Sequence, residues 1–388
     1  MRTKSTRTLS LLSLCLISAL AAAQSYTVTD LGPLAPTAIN TWAQVVGNYN
    51  GQAYIWTFGH WRPLGLLPGG TFSWAAAIND LGTVAGTADG PGQILEYGLT
   101  FECNDLIQPF IWTQRTHMRG LGAVGPASDA APFEDNGCPY PFYAAAINNR
   151  GQVVGYTGQL TDAFQWVLLW TNAGGMSIFG SSLPNTYGNG ISSSGEIVGE
   201  NGYNDFVGYA TYWKNGIATQ LGGLSGLYEF EGSAANGVND FGQIVGWSPL
   251  YVESSGAVTA YIHAVTWTPS GAISDLGTLP GDTVSSASKI NLFGLVIGSS
   301  GNTVINSTAI LGGQDSSFDI GPLEVIGRPF IWSAQRGMQD LNTLIRPNSG
   351  WVLTAATDIN VWGQIVGSGM LNGQAHGFLL TPKDFFQF

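Results

Sequence analysis

One nine-residue phrase governs what this chain can become. It reads Ile147-Asn148-Asn149-Arg150-Gly151-Gln152-Val153-Val154-Gly155, and variants of it stand at Ile39–Gly47, Ile78–Gly86, Ile191–Gly199, Val238–Gly246, Ile290–Gly298 and Ile359–Gly367. Seven copies at intervals of 39 to 69 residues mark a repeat architecture, in which single units cannot bury their own apolar faces and must stack on neighbours. Inside the phrase, the Asn and the Gly three residues later suit a three-residue hairpin loop, a type I turn closed by a left-handed residue. Gly82, Gly151, Gly195, Gly242, Gly294 and Gly363 take the left-handed position. Ala43 stands there in the first copy, which is therefore expected to be the weakest hairpin, and Ser192 replaces Asn in the fourth.

Three more strand signals accompany each phrase. A run of small residues leads into it, as in Ala75-Ala76-Ala77-Ile78 and Ala144-Ala145-Ala146-Ile147. The Gln-Val-Val-Gly segment is β-branched and alternating, as strands are. A third strand ends in Trp56, Trp112, Trp170, Trp213, Trp267 or Trp332, and a fourth carries Leu-Gly or a variant, from Leu31-Gly32 to Leu276-Gly277. The Asn-to-Gly spacing never changes, and the Trp is followed by the fourth-strand Leu or Phe after eight or nine residues. The other two connections vary: Gly86 to Trp112 spans 26 residues and Gly298 to Trp332 spans 34. Connections in an antiparallel sheet alternate between its ends. Tight turns therefore gather at one end, and the insertions at about 87–108, 123–143, 247–262 and 299–328 gather at the other.

The way the chain begins and ends selects a ring. An orphan fourth strand, Tyr26–Gly32, comes first, and the last unit stops after its third strand, Gly377-Phe378-Leu379-Leu380. One supplies what the other lacks, which closes a propeller and removes its exposed edge. The expectation is an all-β, seven-bladed β-propeller of four-stranded antiparallel blades over residues 24–388, closed by the N-terminal strand completing the last blade. Its innermost strands would be the small-residue ones, because seven of them crowd the axis.

Residues 1–23 read as an export signal, with Arg2, Lys4 and Arg7 before an apolar run and cleavage near Ala23. The run is too short to span a membrane, so a secreted or periplasmic product is expected. Without that leader, ten Lys and Arg face twenty-five Asp and Glu. Such a field repels polyphosphates, which sets aside nucleic acid and anionic lipid surfaces as partners. Cys103 and Cys138 remain after cleavage, and in an oxidising compartment two lone cysteines are expected to pair.

The units resemble those of the HAF-repeat family of extracellular repeat proteins, which run His-Ala-Phe-x-Trp, Met-x-Asp-Leu-Gly and Ala-x-x-Ile-Asn-x-x-Gly-Gln-Val-Val-Gly. The matching residues are His263-Ala264-Val265-Thr266-Trp267 with Ser274-Asp275-Leu276-Gly277, then Met338-Gln339-Asp340-Leu341, His376-Gly377-Phe378 and the seven phrases. The resemblance covers nearly all of the chain after the leader. It implies export and a repeat fold, and brings no catalytic residues with it.

Chemistry-bearing motifs are sparse. His60, His117, His263 and His376 are far apart, no Cys-x-x-Cys exists, and no phosphate loop, nucleophile elbow or calcium loop appears. No cofactor or metal is therefore assigned. The insertion-bearing end is the expected binding side. Its rings and carboxylates suit a neutral carbohydrate or an extracellular protein, with Tyr97, Glu102, Glu134, Asp135, Tyr140, Tyr143, Tyr228, Glu229, Glu231, Trp247 and Tyr251 as candidate ligand-binding residues. This favours a non-enzymatic binding module. A glycoside hydrolase or lyase using Glu102, Glu229, Glu231 and Asp135 is the first alternative, and a structural envelope protein the second.

Overall fold

The computed structural model of the chain describes residues 25–96, 99–103, 106–124, 142–157, 165–183, 186–204, 207–225, 232–254, 257–306 and 323–383. They form seven four-stranded antiparallel blades in a ring. Taken in chain order, blades 1 to 7 have as first strands Ala35–Ile39, Ser73–Ile78, Phe142–Ile147, Tyr187–Ile191, Ala234–Val238, Val284–Ile290 and Trp351–Ile359. Each of these touches the first strands of both neighbours, including Ala35–Ile39 against Trp351–Ile359, so the innermost layer is circular. Blade 7 is completed from the other end of the chain. Tyr26–Gly32 pairs with Gln374–Pro382, Tyr26 opposite Pro382 and Gly32 opposite Gly377. The one helical element among the described residues is a 3-10 turn at Leu341–Thr343.

The seven turns fold as their sequence predicts. Asn148 N–H donates to Gln152 O and Gly151 N–H to Asn148 O, and the same pair of bonds recurs in every blade. Ala43 adopts the left-handed conformation as well, with φ +56°, a strained state for a residue with a Cβ. The Asn side chain does more than close its own turn. In blade 3, Asn148 Oδ1 accepts from the N–H groups of Arg150 and Gln152 while Nδ2 donates to Gln152 Oε1. The second amide hydrogen crosses to the next blade, where Ser192 O accepts it at 3.0 Å. Identical crossings join Asn40 to Asn79, Asn79 to Asn148, Asn239 to Asn291, Asn291 to Asn360, and Asn360 back to Asn40. Six of seven seams are tied this way. Ser192 is too short to reach across, and its hydroxyl bonds to Ser194 instead.

A second device recurs in the first strands. Each contains a β-bulge at one register position, between Ala144 and Ala146 in blade 3 and at the equivalent place in the other six. The bulge draws the first strand over the second, and this explains the glycine that ends each phrase. A Cβ on Gly155 would overlap Tyr143 O, and one on Gly199 or Gly246 would overlap Tyr187 O or Ala234 O. Between blades the apolar core fills as expected from the third and fourth strands. Trp112, Trp170, Trp213 and Trp267 are buried, as are Leu64, Leu221 and Leu276.

All described insertions lie at the end opposite the turns. Gly92–Glu96, Leu99–Cys103 and Ala123–Val124 make a small separate sheet. In blades 5 and 6 the second and third strands continue past the ring as long hairpins, Ile244–Ser254 with Ala257–Trp267 and Val296–Asn306 with Leu323–Ser333.

Two substitutions test these devices by denaturant unfolding. Ser192→Asn supplies the missing crossing bond to Asn239 O and should raise stability by about 1 kcal/mol. Gly155→Ala forces Cβ into the first-strand carbonyl and should lower it by about 2–3 kcal/mol.

Candidate functional site

The innermost strands deliver side chains to both mouths of the ring. At the turn-bearing end the channel widens into a funnel of 330 Å³, bordered by turn residues such as Asn40, Asp80, Asn149, Ser193 and Asp240. At the loop-bearing end, four residues before the phrase Ile, the same register position carries Trp74, Tyr143 and Tyr187 in three consecutive blades. Blades 1, 5, 6 and 7 have Ala35, Ala234, Ser286 and Ala355 there. An aromatic arc thus spans blades 2 to 4 at the mouth facing the insertions.

The second strands complete the cluster. Tyr156 lies between its two neighbours, its ring centroid 5.8 Å from Tyr143 and 5.1 Å, edge-on, from Tyr187. Glu200 is paired with Tyr187 across the first two strands of blade 4 and is 8% exposed. Burial pushes its carboxyl up to about 8, so at neutral pH it is protonated and can donate a hydrogen bond. Burial also raises the Tyr156 phenol, with smaller contributions from Tyr143 and Glu200. Trp74, by contrast, is half exposed at 50%. The group therefore grades from an exposed indole to a buried acid. Flat rings, phenol hydroxyls and a neutral carboxyl suit a hydroxyl-rich, uncharged ligand.

Of the residues expected from sequence, Tyr143 belongs to this cluster. Tyr251 lies on the extended hairpin of blade 5, its N–H donating to Ser225 Oγ at 2.8 Å. Trp247 is 6% exposed and stands opposite Ala234 on the second strand of blade 5, the register position that Tyr156 and Glu200 hold in blades 3 and 4. Glu102 and Cys103 belong to the strand Leu99–Cys103. Tyr97, Glu134, Asp135, Cys138, Tyr140, Tyr228, Glu229 and Glu231 lie outside the described residues. Sequence reasoning passed over Trp74, Tyr156, Tyr187 and Glu200. Aligning the positions just before and after each phrase would have found them, because aromatic or acidic residues there break a run of Ala, Ser and Thr.

The histidines occupy two kinds of place. His60 and His117 begin the outer strands next to tight turns. His263 and His376 pair with Asp275 and Asp30 on the neighbouring fourth strand, at 3.0 and 2.8 Å. In blade 6, Arg328 and Asp340 make the equivalent pair at 3.2 Å.

No protein-family model matches the chain, and no curated protein does. Solved structures resemble it in fold. A catalytically inactive virginiamycin B lyase from Staphylococcus aureus, with quinupristin, is 9% identical over 91% of this chain and 99% of that one, with a TM-score of 0.47. A gluconolactonase from Xanthomonas campestris is 9% identical over 94% and 92%, with a TM-score of 0.41. The WD40 β-propeller domain of Doa1 is 10% identical over 92% and 96%, with a TM-score of 0.37.

Glu200 gives this site a pH signature. A carboxyl whose folded-state value lies above its ordinary 4.5 contributes stability that is full below that value and is lost as pH climbs through about 8. The melting temperature should therefore fall by several degrees between mildly acid and mildly alkaline buffer. Glu200→Gln should flatten the decline, as differential scanning fluorimetry would record.

Proposed function

We propose that this chain is an exported, non-enzymatic binding module of the HAF-repeat type, and that its loop-bearing face takes a neutral glycan or similar hydroxyl-rich surface polymer. The observation that carries this reading is the aromatic arc of Trp74, Tyr143 and Tyr187 with Tyr156 and Glu200 behind it. Trp74 and Tyr143, fixed on rigid first strands and accessible, stack against the apolar faces of sugars with little loss of side-chain entropy, and Tyr187, 6% exposed, backs them. The Tyr143 phenol offers a hydrogen bond without charge, and burial keeps the Glu200 carboxyl neutral behind it. A strongly acidic chain of this composition favours an uncharged ligand over an anionic one. Export accords with the leader-like residues 1–23, and would leave Cys103 and Cys138 where thiols oxidise to a bridge.

Affinity electrophoresis against a panel of neutral polysaccharides tests the proposal. At least one member should retard the protein, and Tyr143→Ala should weaken that binding about tenfold. A panel that leaves mobility unchanged, together with a pull-down that recovers one extracellular protein, would replace the glycan with a protein ligand.

A further inference from the structure

The turn-bearing face has a surface that its structural role does not require. At the second position after the turn Asn, blades 5, 6, 7, 1 and 2 present Phe241, Phe293, Trp362, Trp42 and Leu81. These form an apolar arc over five consecutive blades, with a polar gap at Arg150 and Ser194. Phe58 and Ile217 add two more apolar tips from outer hairpin turns. Among the described large apolar side chains, all six that are more than 70% exposed lie on this face, and those at the loop-bearing end stop at 58%. Scattered apolar residues are ordinary on a protein surface, but a contiguous set marks an interaction site.

Three observations identify what fits there. The tips stand at two radii, the inner ones on turns of one fixed length and the outer ones on short hairpin turns, and among the described residues no insertion rises between them to make a groove. Their N–H donors are already satisfied from within. The N–H of each apolar tip on the inner arc donates to the Oδ1 of its own turn Asn. The Trp42 indole N–H donates to Asp80 O and the Trp362 indole N–H to Thr41 O, both at 2.9 Å. Such tips can leave water without stranding an N–H donor, whereas a sugar would ask for free donors. The charge of this face also departs from that of the molecule. Arg115, Arg150, Lys214 and Arg336 stand in or beside the turns against Asp80, Glu196 and Asp240, with Lys214 paired to Glu196 at 2.8 Å, so this face does not share the acidic excess of the whole chain.

We propose that the turn-bearing face docks on a phospholipid bilayer, its apolar tips entering the boundary between headgroups and acyl chains while its cations meet lipid phosphates. Trp and Phe favour that boundary. No helix among the described residues is long and apolar enough to cross a membrane, so the contact is peripheral. It leaves the loop-bearing face pointing outward, and it stands whichever ligand that face takes.

The experiment is vesicle co-sedimentation of the leader-free chain, with phosphatidylcholine alone and with a fraction of phosphatidylglycerol. The protein should pellet with both, more with the second, and its tryptophan emission should shift to the blue. Phe241→Ser combined with Phe293→Ser should cut the partition coefficient about tenfold, while Val352→Ser, on the opposite face, should leave it unchanged. Both phenylalanines are exposed, so the melting temperature should hold. Should it fall, Leu81→Ser alone, with a loss of about threefold, makes the same test. A protein that stays in the supernatant with both vesicles, or that pellets equally well without these side chains, overturns the proposal.

Discussion

The structure depends on one side-chain amide. The turn Asn has two acceptor sites and two donor hydrogens, and at Asn40, Asn148, Asn239 and Asn360 the fold uses all four: two backbone N–H groups of its own turn, the Gln four residues on, and a carbonyl of the next blade. Asp would lack the donors and Ser the reach. A single intramolecular hydrogen bond is worth about 1 kcal/mol net, so the strength lies elsewhere, in position. These groups are buried, and a missing partner would leave a polar atom stranded at a penalty of about 1–3 kcal/mol. The amide therefore couples two decisions, the conformation of one hairpin and the placement of its neighbour. The bond from Asn360 to Asn40 applies the same coupling across nearly the whole chain, at the seam between blade 7 and blade 1.

Small residues in the first strands answer to the bulge as well as to crowding at the axis. The bulge turns Thr37, Asn189, Asn236 and Thr357 toward the following blade, where each donates to a first-strand carbonyl. Lys289 and Asp358 are the departures, since the residue before the phrase Ile or Val is Ala or Gly in the other five blades. Asp358 accepts from the N–H groups of Ile39 and Ile359, which ties blade 7 to blade 1 once more. Desolvation in the channel wall pushes its carboxyl up to about 6, against the pull of Lys289 and those two N–H groups. Asp80 and Asp240 also bridge seams, accepting from the N–H groups of Thr41 and Ser193, so what distinguishes the closing seam is that its carboxylate is buried in the first-strand layer.

Much of this was legible in the sequence, and what was not has identifiable causes. The turn chemistry, the blade count and the completion of blade 7 by Tyr26–Gly32 follow from spacing and from the residues a type I turn with a left-handed closure admits. The crossing amide could not be read, because a turn explains Asn without reference to any neighbour. The closing Gly hid for a related reason. Its need arises from a bulge on the adjacent strand, and a bulge leaves no residue signature of its own. Trp247 was taken for a loop residue because the phrase ends at Gly246, yet its strand runs on to Ser254. Tyr156 and Glu200 sit 44 residues apart, one blade from the next, and only the ring brings their surroundings together.

Composition misleads in a more general way, because it averages over distances across which charges do not act. Second strands of 5 to 11 residues separate the two ends of the ring by roughly 16–36 Å at about 3.3 Å per residue. The screening length at physiological ionic strength is about 8 Å. Carboxylates at the loop-bearing end therefore contribute little to the potential at the turns, where cations outnumber them. The same geometry explains how two faces of one molecule can differ so much. Within each turn, Asn and the closing Gly are fixed by backbone demands, which leaves the two residues after Asn as the positions open to variation. The first of these borders the axial funnel and the second points outward, so two residues per blade set the chemistry of the inner part of this face, and the outer hairpin turns add Phe58 and Ile217 at its rim. Insertions cannot enter there without breaking the crossing amides. They accumulate at the other mouth, where the ring imposes no such bond, and the long hairpins of blades 5 and 6 rise from that end.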